Sequence, residues 1–402
     1  MNRDRITVVG LDGRPLGEVI ERLLADAALV VGGGRHLETL GVDRDRAVVL
    51  KGDLSEALAR IEGTEGPVVV LASGDPGFFG IVRLLAGQFG RENLHSLPGL
   101  SSVALAFARA GLSWDDAVTV SAHARDPRRA VNVCRAHHKV AVLTSPEFGP
   151  AELAEELGES DRIFVVAEKL GEADERVFHG DASTVAGVEW EDPNVVLVLD
   201  EERMPGARGW ISSSLQAQGR WALPEGEFEH RSGMITKSAT RAFVLSRLGP
   251  GPGDLIWDIG AGSGSVAIEC ARLGAAAIAV ERDPESCARI RRNTGRHDVP
   301  VQLVEGMAPG VMLDLPEPDA VFIGGTGGAF EEILKLSAVR ARRTVVLALV
   351  ALERVVPAAR LLEDCGLEVE TTFLQASGMK GVGNLHRLAA ESGVFVVSGS
   401  RP

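Results

Sequence analysis

The run Trp257-Asp258-Ile259-Gly260-Ala261-Gly262-Ser263-Gly264-Ser265 closes an apolar segment and opens a helical pattern, and Glu281 ends the next apolar stretch. Glycines let such a turn tighten and let backbone approach a ligand closely, while a carboxylate about 20 residues on can accept both ribose hydroxyls. The pattern reads as a nucleoside site. A dinucleotide fingerprint places its third glycine five positions after the first, to seat a helix against a pyrophosphate, whereas here Gly264 stands four after Gly260 and Ser265 takes the fifth place. Asp258, just before the turn, opposes a diphosphate but suits a ligand carrying an ammonium and a sulfonium. Spacing and charge favour S-adenosylmethionine over a nicotinamide, and over a glycine turn with no ligand.

Three further loops lie near the start of the chain: V-V-G-L-D-G around Gly10, S-G-D-P-G-F-F-G with Gly74, Asp75, Pro76 and Gly77, and L-P-G-L-S-S with Ser101 and Ser102. Each follows or ends an expected strand, and ligands of open α/β sheets gather at such carboxyl ends. Taken singly, each loop is ordinary turn chemistry, with the two serines capping a helix from Val103 to Ala110. Together they read as a second S-adenosylmethionine site, one donor per domain, which makes the chain a double methyltransferase.

These loops need sheets to hold them. Short β-branched runs alternate with helical patterns through the first half: Ile6 to Val9, Ala28 to Val31, Ala47 to Leu50, Val68 to Leu71, Val140 to Leu143, Ile163 to Val166 and Val195 to Leu199. The second half repeats the alternation at Leu255 to Ile259, Ala277 to Glu281, Val301 to Val304, Ala320 to Ile323, Thr344 to Leu349 and Val394 to Val397. Such alternation predicts an α/β class with parallel sheets under covering helices. Hydrophobic periodicity lapses between Asp200 and His230, where Gly, Pro and charge accumulate. The expected division is therefore a domain over 1–205, a linker over 206–229 and a Rossmann-like domain over 230–402.

Composition narrows the function classes. A chain of 402 residues exceeds what one core normally organises, and 45% hydrophobic residues suffice for two globules. A net charge of -14 without any Lys/Arg-rich block disfavours nucleic acid as partner. No apolar run is long enough to cross a bilayer and the polar start is no signal peptide, so a cytoplasmic protein without a membrane partner is expected. The scattered Cys134, Cys270, Cys287 and Cys365 make no metal pattern, and the adjacent His137 and His138 face different directions. An isolated His123 reads first as a packing residue. Lys237 and Arg241, four apart on one helix, are candidate local cations against the acidic background of the chain, with a solvated helix face as the alternative. Lys380, in a glycine-rich stretch before Arg387, is another.

At this point residues 1 to about 205 resemble the tetrapyrrole methylases of the cobalamin pathway, through the three loops above and through L-T-S-P-E-F, A-E-K-L-G-E-A-D-E-R and P-N-V-V-L-V. Residues from about 223 onward resemble Rossmann-like methyltransferases that also decarboxylate, through E-F-E-H-R-S-G-M-I-T-K, W-D-I-G-A-G-S-G-S, V-E-R-D-P-E, E-G-M-A-P and F-I-G-G-T-G-G. Fused in this order, the motifs resemble the decarboxylating precorrin-6Y C5,15-methyltransferase family. The resemblance implies methylation of precorrin-6B at C5 by the first domain, and methylation at C15 with loss of the ring C acetate carboxyl as CO2 by the second, in an order the sequence leaves open, giving precorrin-8. It implies a first-domain architecture of two α/β subdomains with a cleft, and a homo-oligomer. The resemblance further implies donor contacts at Thr236, Gly260, Ala261, Gly262, Ser263, Gly264, Glu281, Gly306, Met307 and Ala308, and a substrate side at Gly324, Gly325, Gly327 and Gly328. Met307 departs from the acidic residue found there in relatives, which leaves an adenine to apolar contact and backbone amides. A methyltransferase on a different small molecule or on RNA, and a non-catalytic donor sensor, are the competing readings.

Overall fold

The computed structural model describes residues 5–52, 54–123, 125–158, 160–203, 220–231, 234–390 and 392–402. It contains two compact units, one made of Met1–Arg125 and Ala141–Gly209, the other of Asp126–Val140 and Trp210–Pro402. Residues 206–219 of the expected linker lie outside the described residues. The described remainder belongs to the second unit, where Leu223 and Phe228 are buried against Ala267, Ile268 and Ile290.

The first unit holds two five-stranded sheets. Strands β1 (Ile6–Leu11), β2 (Leu29–Gly32), β3 (Ala47–Val49), β4 (Val68–Ser73) and β5 (Leu94–Leu97) form an all-parallel sheet in the order β3-β2-β4-β1-β5. Its central strands read V-V-G and V-V-V-L because both faces are covered: Val8, Val31 and Val70 enter one cluster, while Val9, Val30, Val69 and Leu71 enter the other. Each such buried aliphatic side chain contributes about 1.5–3 kcal/mol. The second sheet, β6 (Val118–Ser121), β7 (Lys139–Leu143), β8 (Ile163–Glu168), β9 (Arg176–Asp181) and β10 (Asn194–Leu199), runs β6-β7-β10-β8-β9. The expectation of parallel strands throughout fails here, since β8 pairs antiparallel with both β9 and β10. The short β8–β9 link, only the loop from Lys169 to Glu175, has no room for a crossover helix. The helix Ser102–Ala110, which leaves the first sheet, packs Val103, Ala106 and Phe107 on Val165 and Leu197 of this second sheet.

The second unit is a seven-stranded sheet in the order β13-β12-β11-β14-β15-β19-β16. Strands β11 (Leu255–Ile259), β12 (Ala276–Glu281), β13 (Val301–Glu305), β14 (Ala320–Ile323) and β15 (Thr344–Leu349) pair in parallel. Strand β16 (Glu368–Leu374) and β19 (Val394–Ser400) finish the sheet antiparallel. Between them β17 (Ser377–Val382) and β18 (Leu385–Ala390) make a separate hairpin. Because β12 and β14 flank β11, the strand order reverses at the end of β11, the point where open α/β sheets leave a crevice for a ligand. Trp257 and Ile259 fill one face of β11 and Ile256 the other.

Candidate functional sites

In the first unit the loops after β1, β4 and β5 meet backbone to backbone. The Gly74 amide donates to the Leu11 carbonyl at 2.6 Å, and the Gly99 amide donates to the Gly74 carbonyl at 3.1 Å. A Cβ placed on Gly10 would lie 2.0 Å from the Gly74 oxygen and 2.4 Å from the Gly99 nitrogen, so no side chain fits at position 10. Gly74 takes φ +61°, and Asp75 closes its own turn by accepting the Gly77 amide at 2.8 Å. Ser101 spends its hydroxyl on the Ala104 amide at 3.1 Å, as the cap of the helix Ser102–Ala110.

A cavity of about 870 Å³ opens beside this knot, bounded by loops from both sheets of the unit. Gly74, Asp75 and Ser102 line it, whereas Gly10, Pro76, Gly77 and Ser101 are not among its lining residues and shape the turns. Several lining residues escaped the sequence reading. Asp12 accepts the Leu100 amide at 2.8 Å, and its hydrogen bond from Arg14 lowers the carboxyl pKa to about 2, against a smaller opposing effect of burial. Phe78 and Phe79 meet edge to face, with ring centroids 5.0 Å apart, and Phe79 holds φ +55°, a conformation bulky side chains rarely adopt. Arg14, Arg35 and Arg125 supply cations to the wall, Arg35 as the ion-pair partner of Glu172. His36 Nε2 lies 3.3 Å from Ser73 Oγ, and burial together with Arg35 lowers its pKa while Glu172 raises it. His123, expected to be a packing residue, is exposed and lines the same cavity.

In the second unit Gly260, Gly262 and Gly264 all take positive φ, at +69°, +57° and +72°. The Gly260 and Ala261 amides both donate to the Val280 carbonyl, which folds the turn over the end of β12. A Cβ on Gly260 would fall 2.3 Å from the Gly325 oxygen, so the G-G-T-G-G loop after β14 presses directly on this turn. Glu281 accepts the Gly262 amide with one oxygen at 2.8 Å and the Arg282 and Asp283 amides with the other, at 2.9 and 3.0 Å. A carboxylate offers about four lone-pair sites, so acceptor capacity remains. Asn293 donates to the Ser263 carbonyl at 2.9 Å and exchanges two hydrogen bonds with the Glu229 backbone, tying the turn to the segment that enters the unit.

A cavity of about 220 Å³ is lined by Gly260, Glu281 and Gly306-Met307-Ala308, and equally by Gly325, Gly327 and Gly328. The glycines expected on the substrate side therefore share one wall with the donor residues, while Gly324 instead donates its amide to the Ile259 carbonyl at 3.0 Å. Arg354 pins this loop through Thr326 Oγ1 at 2.9 Å and the Gly327 carbonyl at 3.2 Å, a role no sequence signal announced.

Three of the expected site residues stand away from both cavities. Asp258 does not line the cavity: it is buried, one oxygen accepts the Ala267 amide at 3.0 Å, and Oδ1 has no hydrogen-bond partner among the described residues. Burial, aided by Glu281 and opposed by the Ala267 amide, pushes its pKa up to about 7, so it is no fixed anion for an ammonium. Arg241 is 0% exposed, with its guanidinium on the Thr236 and Leu223 carbonyls, 3.5 Å from Glu269 and over the Phe228 ring. Its face of the helix Ser238–Leu248 turns inward, and only half-buried Lys237, the residue before that helix, stays available as a cation. Lys380 stands opposite Arg387 on the exposed hairpin and lines neither cavity. Among the described residues no cluster of His, Cys, Asp and Glu could hold a metal, and no helix is long and apolar enough to cross a membrane.

Comparison with known proteins divides the chain along the same lines as the two glycine sites. Residues 9–186 match the family of tetrapyrrole (corrin/porphyrin) methylases, and residues 227–399 match a precorrin methyltransferase domain. A precorrin-6Y C(5,15)-methyltransferase [decarboxylating] of Sinorhizobium sp is 40% identical over 338 residues, covering 80% of this chain and 78% of that protein. A cobalt-precorrin-7 C(5)-methyltransferase of Salmonella typhimurium is 34% identical, covering 49% of this chain and 99% of its own length. A probable cobalt-precorrin-6B C(15)-methyltransferase (decarboxylating) of Pyrobaculum calidifontis is 31% identical, covering 44% of this chain and 94% of its own.

Proposed function

Because the chain belongs to the family of decarboxylating precorrin-6Y C(5,15)-methyltransferases, we propose that its two units perform separate methyl transfers on one reduced tetrapyrrole. The first unit methylates C5 of the precorrin-6B skeleton. The second methylates C15 and releases the ring C acetate carboxyl as CO2, so that precorrin-8 leaves. The chain is an S-adenosylmethionine-dependent C-methyltransferase of cobalamin biosynthesis.

The observation that carries this reading is the presence of two glycine cradles, one in each unit, each at the carboxyl edge of parallel strands and each closed to any side chain. Gly10 against Gly74, and Gly260 against Gly325, bring loop backbones into direct contact, which shapes the turns beside each cavity. Bound there, S-adenosylmethionine supplies a methyl group on a sulfonium, already an excellent leaving group. Gly74, Asp75 and Ser102 would hold it in the first unit; Gly260, Glu281 and the Gly306-Met307-Ala308 turn would hold it in the second, with the Gly262 amide fixing Glu281. Glu281 is oriented by three backbone amides and keeps lone pairs for ribose hydroxyls.

The remaining work of the chain is alignment and charge. A bridge carbon of a reduced tetrapyrrole is itself an enamine-like nucleophile, and holding it in line with the methyl group can lower a barrier by about 7–11 kcal/mol. A substrate fringed with carboxylates has to enter a protein of net charge -14, and in the larger cavity Arg14, Arg35 and Arg125 offset Asp12, Asp75 and Glu172, so that its wall is less negative than the chain as a whole. Phe78 and Phe79 offer flat apolar surface to the macrocycle next to the donor turn.

Mass spectrometry of the product made from precorrin-6B and the methyl donor tests the reading. The expected product has gained two methyl groups and lost one CO2, and Gly262→Arg leaves at most the first methylation. A wild-type product carrying a single methyl, or an unchanged product from Gly262→Arg, overturns the assignment.

A further inference from the structure

Methyl transfer to C5, where no carboxyl group leaves, leaves a proton to remove. As the C–C bond forms, the S–CH3 bond breaks with its electron pair going to sulfur, and the ring is left cationic. Neutrality returns when the C–H bond of the methylated carbon breaks and its pair re-enters the ring. One proton therefore departs per methyl transferred to C5, and a positioned acceptor speeds that departure by roughly 10²–10⁴-fold.

The cavity of the first unit contains an imidazole and a hydroxyl in contact. Ser73 is the last residue of β4 and shares a peptide bond with Gly74, so its exposed hydroxyl stands at the donor turn itself. His36, on the helix Gly34–Thr39 after β2, places Nε2 3.3 Å from that hydroxyl. Both residues line the cavity. We propose that Ser73 and His36 form the proton relay of the first unit: the bridge-carbon proton passes to Ser73 Oγ as the hydroxyl's own proton passes to His36 Nε2, and the imidazolium then discharges to solvent.

The inference rests on the assignment of methyl transfer to this unit. Ser73 is the residue that meets the reacting carbon, and His36 acts through it. The charged groups that act on the ring are Arg35 from its own helix and Glu172 from the loop after β8, and these two are paired with each other. Burial and Arg35 outweigh Glu172 and lower the pKa of the ring, which favours its neutral, proton-accepting form.

The test is single-turnover methylation by the full chain, with C5 and C15 methylation resolved in the product, between pH 5 and 9. Wild type is expected to lose C5 transfer on the acid side as His36 protonates. His36→Ala should slow C5 transfer at least 100-fold, flatten that acid limb and recover in part with added imidazole, while donor affinity by calorimetry stays within twofold. Ser73→Ala, on a different element, should slow the same step with donor binding retained. A His36→Ala chain with the wild-type rate and acid limb overturns the relay. So does a loss confined to KM with the pH profile unchanged, since that is what a merely structural role gives. Wild type that transfers no methyl at C5 overturns both the relay and the assignment beneath it, whereas wild-type transfer beside unaffected variants overturns the relay alone.

Discussion

The Gly10 backbone and the Gly74 carbonyl pack so closely that a single added methyl at position 10 would sit 2.0 Å from the oxygen. Gly10→Ala therefore must push the G-D-P turn away from the loop after β1. Calorimetry with S-adenosylmethionine is expected to fall from two binding events to one, and the product to lack the C5 methyl while C15 methylation continues. Gly260→Ala, which meets the Gly325 oxygen at 2.3 Å, should give the mirror outcome. Two events in either variant would contradict the assignment of these cradles.

Glu281 accepts three backbone amides with one carboxylate, and the proposed ribose contact would use its remaining lone pairs. In Glu281→Ala the amides lose their acceptor and the ligand loses its hydroxyl partner, a loss of roughly 1–3 kcal/mol. Donor affinity in the second unit should drop about 10- to 100-fold with the first unit unchanged, measured by titration calorimetry.

Arg241 separates a structural cation from a substrate cation. Removing one member of a buried ion pair leaves the other uncompensated and costs about 3–5 kcal/mol, so Arg241→Met should lower the denaturant midpoint of the second unit markedly. Arg241→Met with Glu269→Gln should recover part of that loss. A raised KM at unchanged stability would instead restore Arg241 to the substrate.

Asp258 predicts a pH effect on stability. Its folded pKa of about 7 lies above the ordinary aspartate value of 3.8, so between these values the folded state binds the extra proton. Unfolding free energy from this group is highest below pH 4 and falls as pH rises through 7, by up to roughly 1.4 kcal/mol per pH unit. Asp258→Asn should flatten the fall in melting temperature between pH 5 and 8; parallel wild-type and variant curves would contradict the prediction.

Phe79 keeps a strained backbone beside the donor turn. Phe78→Ala and Phe79→Ala should raise KM for the tetrapyrrole several-fold while leaving S-adenosylmethionine affinity in place, measured by steady-state kinetics and calorimetry.

Much of this architecture was legible in the chain because its signals are short-range. Strands covered on both faces appear as continuous apolar runs such as Val68 to Leu71, and Ser101 caps its helix as its type and position predict. The antiparallel pairing of β8 with β9 was not legible, because β9 (R-V-F-H-G-D) is half-exposed and carries no apolar run. Arg241 was misread for a related reason: nothing in A-T-R says which side of the helix meets the sheet.

The residue types alone determined the glycine turns, their acidic partner Glu281 and the strands that end at them, since backbone reach and periodicity are local properties. Which side chains gather around those turns was decided only by the tertiary structure. Ser73 and His36 are 37 positions apart and meet because β4 pairs with β2, and Asp12 reaches Leu100 because β1 lies between β4 and β5. Strand order is set by packing of the whole sheet, so no local pattern could have placed these groups in one cavity.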